Sequence, residues 1–181
     1  MSIFIFDTET TGLDVNNSRI LSICWNIYRP DGVLLKSKYY IIKPDGFPVG
    51  ATHIHGITDD IASNGTPLIE VINDLNNDLN GVVLLVGHSI GFDRTMLLAE
   101  LMRLGRNDIL NKLMSINQYC TMVKGTELCK LPRPNGQGYK WPKLQELHKH
   151  FFGYEFVGNH NARDDTDATA KCYFKLKENN I

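Results

Sequence analysis

The chain has 181 residues, 43% of them hydrophobic and 22% charged, which excludes disordered and fibrous classes and fits one domain of ordinary size, residues 1–181, able to bury a sheet between helices. The formal net charge is −1, so nothing global announces a nucleic-acid partner, and attraction to a polyanion must come from a local basic surface or from bound metal. No apolar run reaches the roughly 18 residues of a membrane span, no basic leader or cleavage site opens the chain, and Cys24, Cys120, Cys129 and Cys172 form no Cys-x-x-Cys pair; an intracellular protein (cytoplasmic if bacterial) with reduced thiols and no membrane partner is expected.

Ile3–Phe6 is a short apolar strand. Arg19–Tyr28 and Val33–Ile42 are rich in Ile, Val, Tyr and Trp and flank Arg29-Pro30-Asp31-Gly32, so the three segments predict an antiparallel meander. Thr66-Pro67 predicts a helix start, with Thr66 as N-cap and Pro67 at the first helical position. Leu68, Ile69, Ile72, Leu75 and Leu79 continue at helical spacing, and Gly81 stops the helix. Val82–Val86 reads as a buried strand, Phe92–Leu104 as a helix ended by Gly105, and Asn117–Cys120 as a short edge strand. Trp141-Pro142 predicts a helix start running to Phe151, and Ala162–Lys177 a last helix. This order predicts an α/β fold, a mixed sheet with helices on its faces, with Thr121–Lys140 as its least regular part.

The chemistry-bearing residues are acids. Asp7 and Glu9 close the first strand two positions apart, on one face. Two such carboxylates repel and are costly to desolvate, and a divalent cation relieves both penalties; the bland reading makes them solvated turn residues after the strand has ended. Asp93 lies in the first turn of a helix, where an acid is favoured by the macrodipole alone, but the Gly87-His88-Ser89-Ile90-Gly91 loop before it leaves the end of a buried strand, where α/β sheets place sites. In Asn159-His160-Asn161-Ala162-Arg163-Asp164-Asp165-Thr166-Asp167, the stripe Ala162, Asp165, Thr169, Cys172, Leu176 makes Asp165 the inward acid. Asp164 falls on a solvated stripe with Ala168, Lys171, Lys175 and Glu178. Asp167 reads as a surface ion pair with Arg163 and Lys171. His160, on the loop before this helix, becomes a general-base candidate beside several acids.

Together these segments resemble the DnaQ-like (DEDDh) family of 3′–5′ exonucleases, of the ribonuclease-H-like superfamily. Phe6-Asp7-Thr8-Glu9-Thr10-Thr11-Gly12-Leu13 resembles the first family motif, Gly87-His88 through Phe92-Asp93 the second, and His160-Asn161-Ala162 through Asp165 the third. His55-Gly56-Ile57-Thr58 is similar to a family segment near the terminal nucleotide. Ser89 stands where the family often has Asn. The resemblance implies a ribonuclease-H-like sheet of three antiparallel strands plus parallel strands. It also implies two divalent ions, Mg²⁺ or Mn²⁺, held by Asp7, Glu9, Asp93 and Asp165, with His160 as base and nucleoside 5′-monophosphates released.

Thr8, Glu9, Thr10, Gly12, Leu13, Ile57, His88 and Phe92 are the implied nucleotide contacts. The basic and aromatic segment with Lys124, Lys130, Arg133, Tyr139, Lys140, Trp141 and Lys143 is either a guide for the strand or a solvated loop with one buried tryptophan. The expected partner is a single-stranded or frayed 3′ end, DNA ahead of RNA, with a polymerase or repair protein as a further partner and a monomer or homodimer as the assembly. Two other readings compete. An aspartate-nucleophile phosphatase leaves His160 and Asp93 without roles, and a catalytically inactive nucleic-acid-binding module would be expected to have lost an acid.

Overall fold

A computed structural model describes residues 1–156, 158 and 161–181. Strand β1 (Ser2–Thr10) pairs antiparallel with β2 (Ile20–Tyr28), which pairs antiparallel with β3 (Leu34–Lys43). The meander follows the apolar runs and the Pro-Asp-Gly turn, where Gly32 takes a positive φ of 87°. The first strand is longer than its apolar run: pairing with β2 continues through the acids, with Asp7 opposite Cys24 and Glu9 opposite Ser22. That pairing excludes a turn at Asp7 and Glu9.

Strand β4 (Thr66–Pro67) lies parallel to the end of β3, β5 (Val82–Gly87) parallel to β1, and β6 (Asn117–Cys120) parallel to β5, giving the order β4-β3-β2-β1-β5-β6. The helices are α1 (Thr52–His55), α2 (Asp59–Ser63), α3 (Leu68–Asp78), α4 (Ile90–Arg103), α5 (Asn107–Ser115), α6 (Thr121–Cys129), α7 (Leu144–Phe152) and α8 (Ala162–Glu178).

The alternation of β1 divides the core. Phe4 and Phe6 face one side with Trp25, Ile72, Leu75, Leu97 and Leu101, all buried. Ile3 and Ile5 face the other with Val86 and the α8 residues Ala170 and Tyr173. Each such side chain contributes about 1.5–3 kcal/mol on burial, so the register of β1 is strongly specified. The same alternation puts Asp7 and Glu9 on the α8 face. Between β3 and β4 the chain makes an excursion that packs Ile57 and Ala62 on Leu21. It is pressed onto the sheet at two glycines. A Cβ at Gly50 would overlap the Thr11 carbonyl oxygen, and one at Gly65 would stand 2.6 Å from the Ile41 carbonyl oxygen.

Several boundaries differ from expectation. Thr66-Pro67 is an edge strand and not the start of a helix: Thr66 pairs with Ile42, and the missing N–H of Pro67 is harmless at the sheet margin. Helix α3 accordingly starts at Leu68, Val71 joins Ile72 and Leu75 on its buried face, and Ile69 is exposed. Helix α4 starts at Ile90, two residues early, because Ile90 is itself buried. Helix α7 starts at Leu144 and not at Trp141: the Lys143 amide is capped by Glu146 at 2.7 Å, and Trp141-Pro142 stays extended outside the helix. The segment expected to be irregular contains α6, and α5 forms where no element was expected, seated by Ile109 and Leu113. The four cysteines are free thiols, two of them, Cys24 and Cys172, buried. Among the described residues no helix is long and apolar enough to cross a membrane.

Candidate active site

Strand β1 and the first turns of α8 bring three acids together. One carboxylate oxygen from each of Asp7, Glu9 and Asp165 lies within 4.8 Å of the other two. Asp93 approaches from the first turn of α4 on the other side of β1. It is buried, and its Oδ1 accepts from the Thr8 hydroxyl at 2.7 Å and the Thr8 amide at 3.1 Å.

The four acids form one electrostatic unit. Burial raises Asp7 well above the ordinary carboxylate range, and the charges of Asp93, Asp165 and Glu9 push it further the same way. Glu9 is pushed up to about 8, by burial first and then by Asp165 and Asp93. Burial raises Asp93 to about 6 against the two Thr8 hydrogen bonds, which lower it, while Asp165 adds to the rise. Without a counter-charge such a nest holds protons; a divalent cation replaces them. The donors are all hard oxygens, a set that fits Mg²⁺ or Mn²⁺ and does not favour zinc.

The inward stripe of α8 is as expected: Ala162, Thr169, Cys172 and Leu176 are buried, with Asp165 partly so. Its acidic neighbours differ. Asp164 is not simply solvated, since its amide donates to Asn161 Oδ1 at 2.9 Å and its carboxylate accepts from Asn161 Nδ2 at 2.6 Å, closing the N-cap. Ala168, on the same stripe, is buried against α7. Asp167 makes no ion pair among the described residues and takes a hydrogen bond from Asn26 Nδ2 of β2 at 2.6 Å, while Arg163 lies over the Tyr39 ring at 4.7 Å. His160 lies outside the described residues.

The nucleotide-contact candidates fall into two groups. Near the open end of β1, the Thr10 hydroxyl donates to the Gly12 carbonyl at 2.7 Å, and Leu13 is 84% exposed. Thr8 is buried on Asp93, Ile57 is buried in the excursion, and Phe92 packs partly on the core. His88 closes β5. Its Nε2 is 2.9 Å from the Pro142 carbonyl, which can only accept, so Nε2 donates and Nδ1 accepts from the Thr121 hydroxyl at 3.0 Å. Burial drives the ring down to about 4, so it is neutral in this arrangement. Ser89 stands at the α4 N-cap with its side chain making no cap bond.

Two supports escaped the sequence, and a third, His55, lies in the segment already matched to the family, its role unread. Glu100 of α4 is buried and accepts from Arg19 Nε at 2.8 Å and the Ile20 amide at 3.1 Å, with Arg103 at 3.3 Å. An acid between Leu97 and Leu101 on the inward stripe was the available signal. Thr121 is buried under His88. His55 pins the excursion, with Nε2 2.8 Å from the Gly50 carbonyl and Nδ1 accepting from the Ile57 amide at 3.0 Å.

Residues 4–173 match the RNase_T family model, described as exonuclease. The chain therefore belongs to the DnaQ-like exonucleases of the ribonuclease-H-like superfamily, a family of hydrolases that use divalent metal ions. Among its relatives, the DNA polymerase III subunit epsilon of Treponema pallidum (strain Nichols) is 29% identical over 160 residues, covering 88% of this chain and 69% of that protein. The PolC-type DNA polymerase III of Bacillus subtilis (strain 168) is 30% identical over 180 residues, covering 95% of this chain but 11% of the much longer polymerase. In fold, the chain is similar to exonuclease I from Methylocaldum szegediense, with a TM-score of 0.77 at 19% identity over 98% of this chain and 40% of that one. It is also similar to exonuclease X, solved in complex with 5′ overhanging duplex DNA, with a TM-score of 0.65 at 21% identity over 98% of this chain and 92% of that one.

Proposed function

We propose that residues 1–181 act as a single 3′–5′ exonuclease domain that removes nucleoside 5′-monophosphates from the 3′ ends of DNA. The observation that carries this reading is the convergence of Asp7, Glu9 and Asp165 within 4.8 Å, coupled electrostatically to Asp93. Asp7, Glu9 and Asp165 would hold one Mg²⁺ or Mn²⁺, and Asp7 with Asp93 would serve a second. Such a pair, when bound, stabilises the attacking and the leaving oxygen of an in-line displacement at the phosphodiester.

The chain's own residues do the rest. Thr8 fixes the Asp93 carboxylate from two directions. His160, neutral, takes the proton from the attacking water, so activity rises with pH through the histidine range. Glu9, Thr10, Gly12, Leu13, Ile57 and Phe92 line the end of the nucleic-acid strand, with Thr8 behind them on Asp93. His88, with its ring committed to Thr121 and Pro142, contributes by fixing the wall beside them. DNA is favoured because the relatives named above are DNA polymerase proteins and exonuclease X is solved with DNA, and a polymerase is the corresponding protein partner.

The test is a 5′-labelled ladder assay on matched DNA and RNA strands with Mg²⁺, Mn²⁺ or EDTA. One-nucleotide laddering of the DNA strand, abolished by EDTA, is expected. No shortening with either metal would sink the reading, and faster shortening of the RNA strand would reverse the substrate.

A further inference from the structure

The molecule has two tryptophans, and they stand in opposite environments. Trp25 is fully buried in the core, whereas Trp141 is 62% exposed. Trp141 borders a shallow cavity of about 470 Å³ with Arg133, Pro134, Asn135 and Lys140. We infer that Arg133, Lys140 and Trp141 form a second strand subsite, gripping a nucleotide on the 5′ side of the one being removed. This rests on the exonuclease reading for its substrate, a single nucleic-acid strand.

The first support is charge. Residues 130–145 contain Lys130, Arg133, Lys140 and Lys143 and no acid, in a chain whose net charge is −1. Without metal the acid nest offers a polyanion no attraction, so a strand bound then must find its phosphate contacts elsewhere, and this segment carries no carboxylates of its own. Lys140 is balanced by Glu146 at 2.5 Å. Arg133 is not balanced. Its Nε donates to the Tyr139 carbonyl at 2.9 Å, and its two terminal amines make no hydrogen bond or ion pair to the described residues. A guanidinium oriented by its own backbone with its fork free is suited to a phosphate.

The second support is that the platform is built. The Lys140 amide donates to the Leu131 carbonyl at 2.8 Å and the Arg133 amide to the Gly138 carbonyl at 3.2 Å, while Pro132 bridges Tyr139, so the segment is a small hairpin. Pro142, next to the tryptophan, is buried and accepts from His88 Nε2. His88 directly follows β5, and Asp93 comes five residues later. The indole is thus tied through one residue to the end of the sheet where the acids converge. An exposed aromatic ring beside an unpaired guanidinium is the chemistry of sequence-tolerant strand binding, a stacked base with a gripped phosphate.

The experiment uses the full chain in EDTA, where no hydrolysis proceeds, titrated with the oligonucleotides (dT)2 and (dT)12. Because Trp25 is shielded, quenching of indole fluorescence reports on Trp141. Saturable quenching by (dT)12, absent with (dT)2 and lost in Trp141→Phe, is the expected result. In Trp141→Ala the (dT)12 dissociation constant rises about tenfold, and Arg133→Ala lowers the salt slope of binding by about one. With metal, the KM advantage of (dT)12 over (dT)2 shrinks by a similar factor in Trp141→Ala, a ratio that overall loss of fold leaves unchanged. If the wild type shortens (dT)12 but shows no quenching, the subsite falls and the exonuclease reading survives. If quenching occurs but neither metal supports shortening, the strand subsite stands and the exonuclease reading falls.

Discussion

Thr8 gives both its hydroxyl and its amide to the same oxygen of Asp93, so β1 fixes one lone-pair side of a carboxylate that arrives on α4, 85 residues later. The two strand neighbours of Thr8, Asp7 and Glu9, carry their acids on the opposite face. One strand therefore organises acids on both of its sides.

Replacing Thr8 by Val keeps the shape and removes the hydroxyl donor. One hydrogen bond to a buried acid is lost, a cost of about 1–3 kcal/mol, and Asp93 becomes harder to ionise. Chemical denaturation is expected to register the loss, and isothermal titration to show weaker Mg²⁺ binding. Unchanged metal affinity would mean that the Thr8 hydroxyl does not orient Asp93.

Asp7→Asn separates stability from activity. Asp7 is raised by burial and by Asp93, Asp165 and Glu9, so removing its charge relieves repulsion in the metal-free protein. A higher Tm than wild type is expected in EDTA at alkaline pH. Mononucleotide release in Mg²⁺ is expected to fall about 10³-fold or more, the loss of several kcal/mol of transition-state stabilisation. A variant that loses Tm in EDTA would show that Asp7 is held by attraction and not crowded by its neighbours.

The same crowding gives a pH slope. Folding moves Glu9 from its ordinary 4.5 to about 8 and Asp93 from 3.8 to about 6, so the folded metal-free protein keeps protons that the unfolded chain has released. For raised groups the stabilising contribution is full below the unfolded values and is lost as pH climbs through the folded ones. Tm in EDTA is expected to fall between about pH 5 and pH 9, and the Tm gain on adding Mg²⁺ to grow over the same range. An equal Mg²⁺ gain at both ends would remove the acid nest as the binding site.

Glu100 predicts a purely structural defect. Its carboxylate, almost fully buried, ties α4 to the start of β2 through Arg19 and the Ile20 amide. Glu100→Ala leaves those donors unmatched and is expected to cost about 3 kcal/mol in urea denaturation. Glu100→Gln, which keeps an acceptor, is expected to cost clearly less. Equal losses would assign the effect to charge alone.

What could be read from the sequence was local. Ile3–Phe6 and Val82–Val86 declare themselves as continuous apolar runs, and the spacing of Ala162, Asp165, Thr169 and Cys172 turned Asp165 inward. What could not be read depended on partners far along the chain. Asp167 is settled by Asn26, 141 positions away, and Glu100 by Arg19, 81 positions away, and no periodicity encodes either pair. Thr66-Pro67 has the chemistry of a helix start, but the margin of β3 claims it first. At Trp141-Pro142 the same local pattern loses to His88, which needs the Pro142 carbonyl.

The two glycines that seat the excursion between β3 and β4 hold positions where only a hydrogen fits. With the Gly50 and Gly65 backbones flush against the Thr11 and Ile41 carbonyls, there is no thickness for a side chain. An alanine at either position has to lift the excursion, and with it Ile57 and Ala62, away from Leu21.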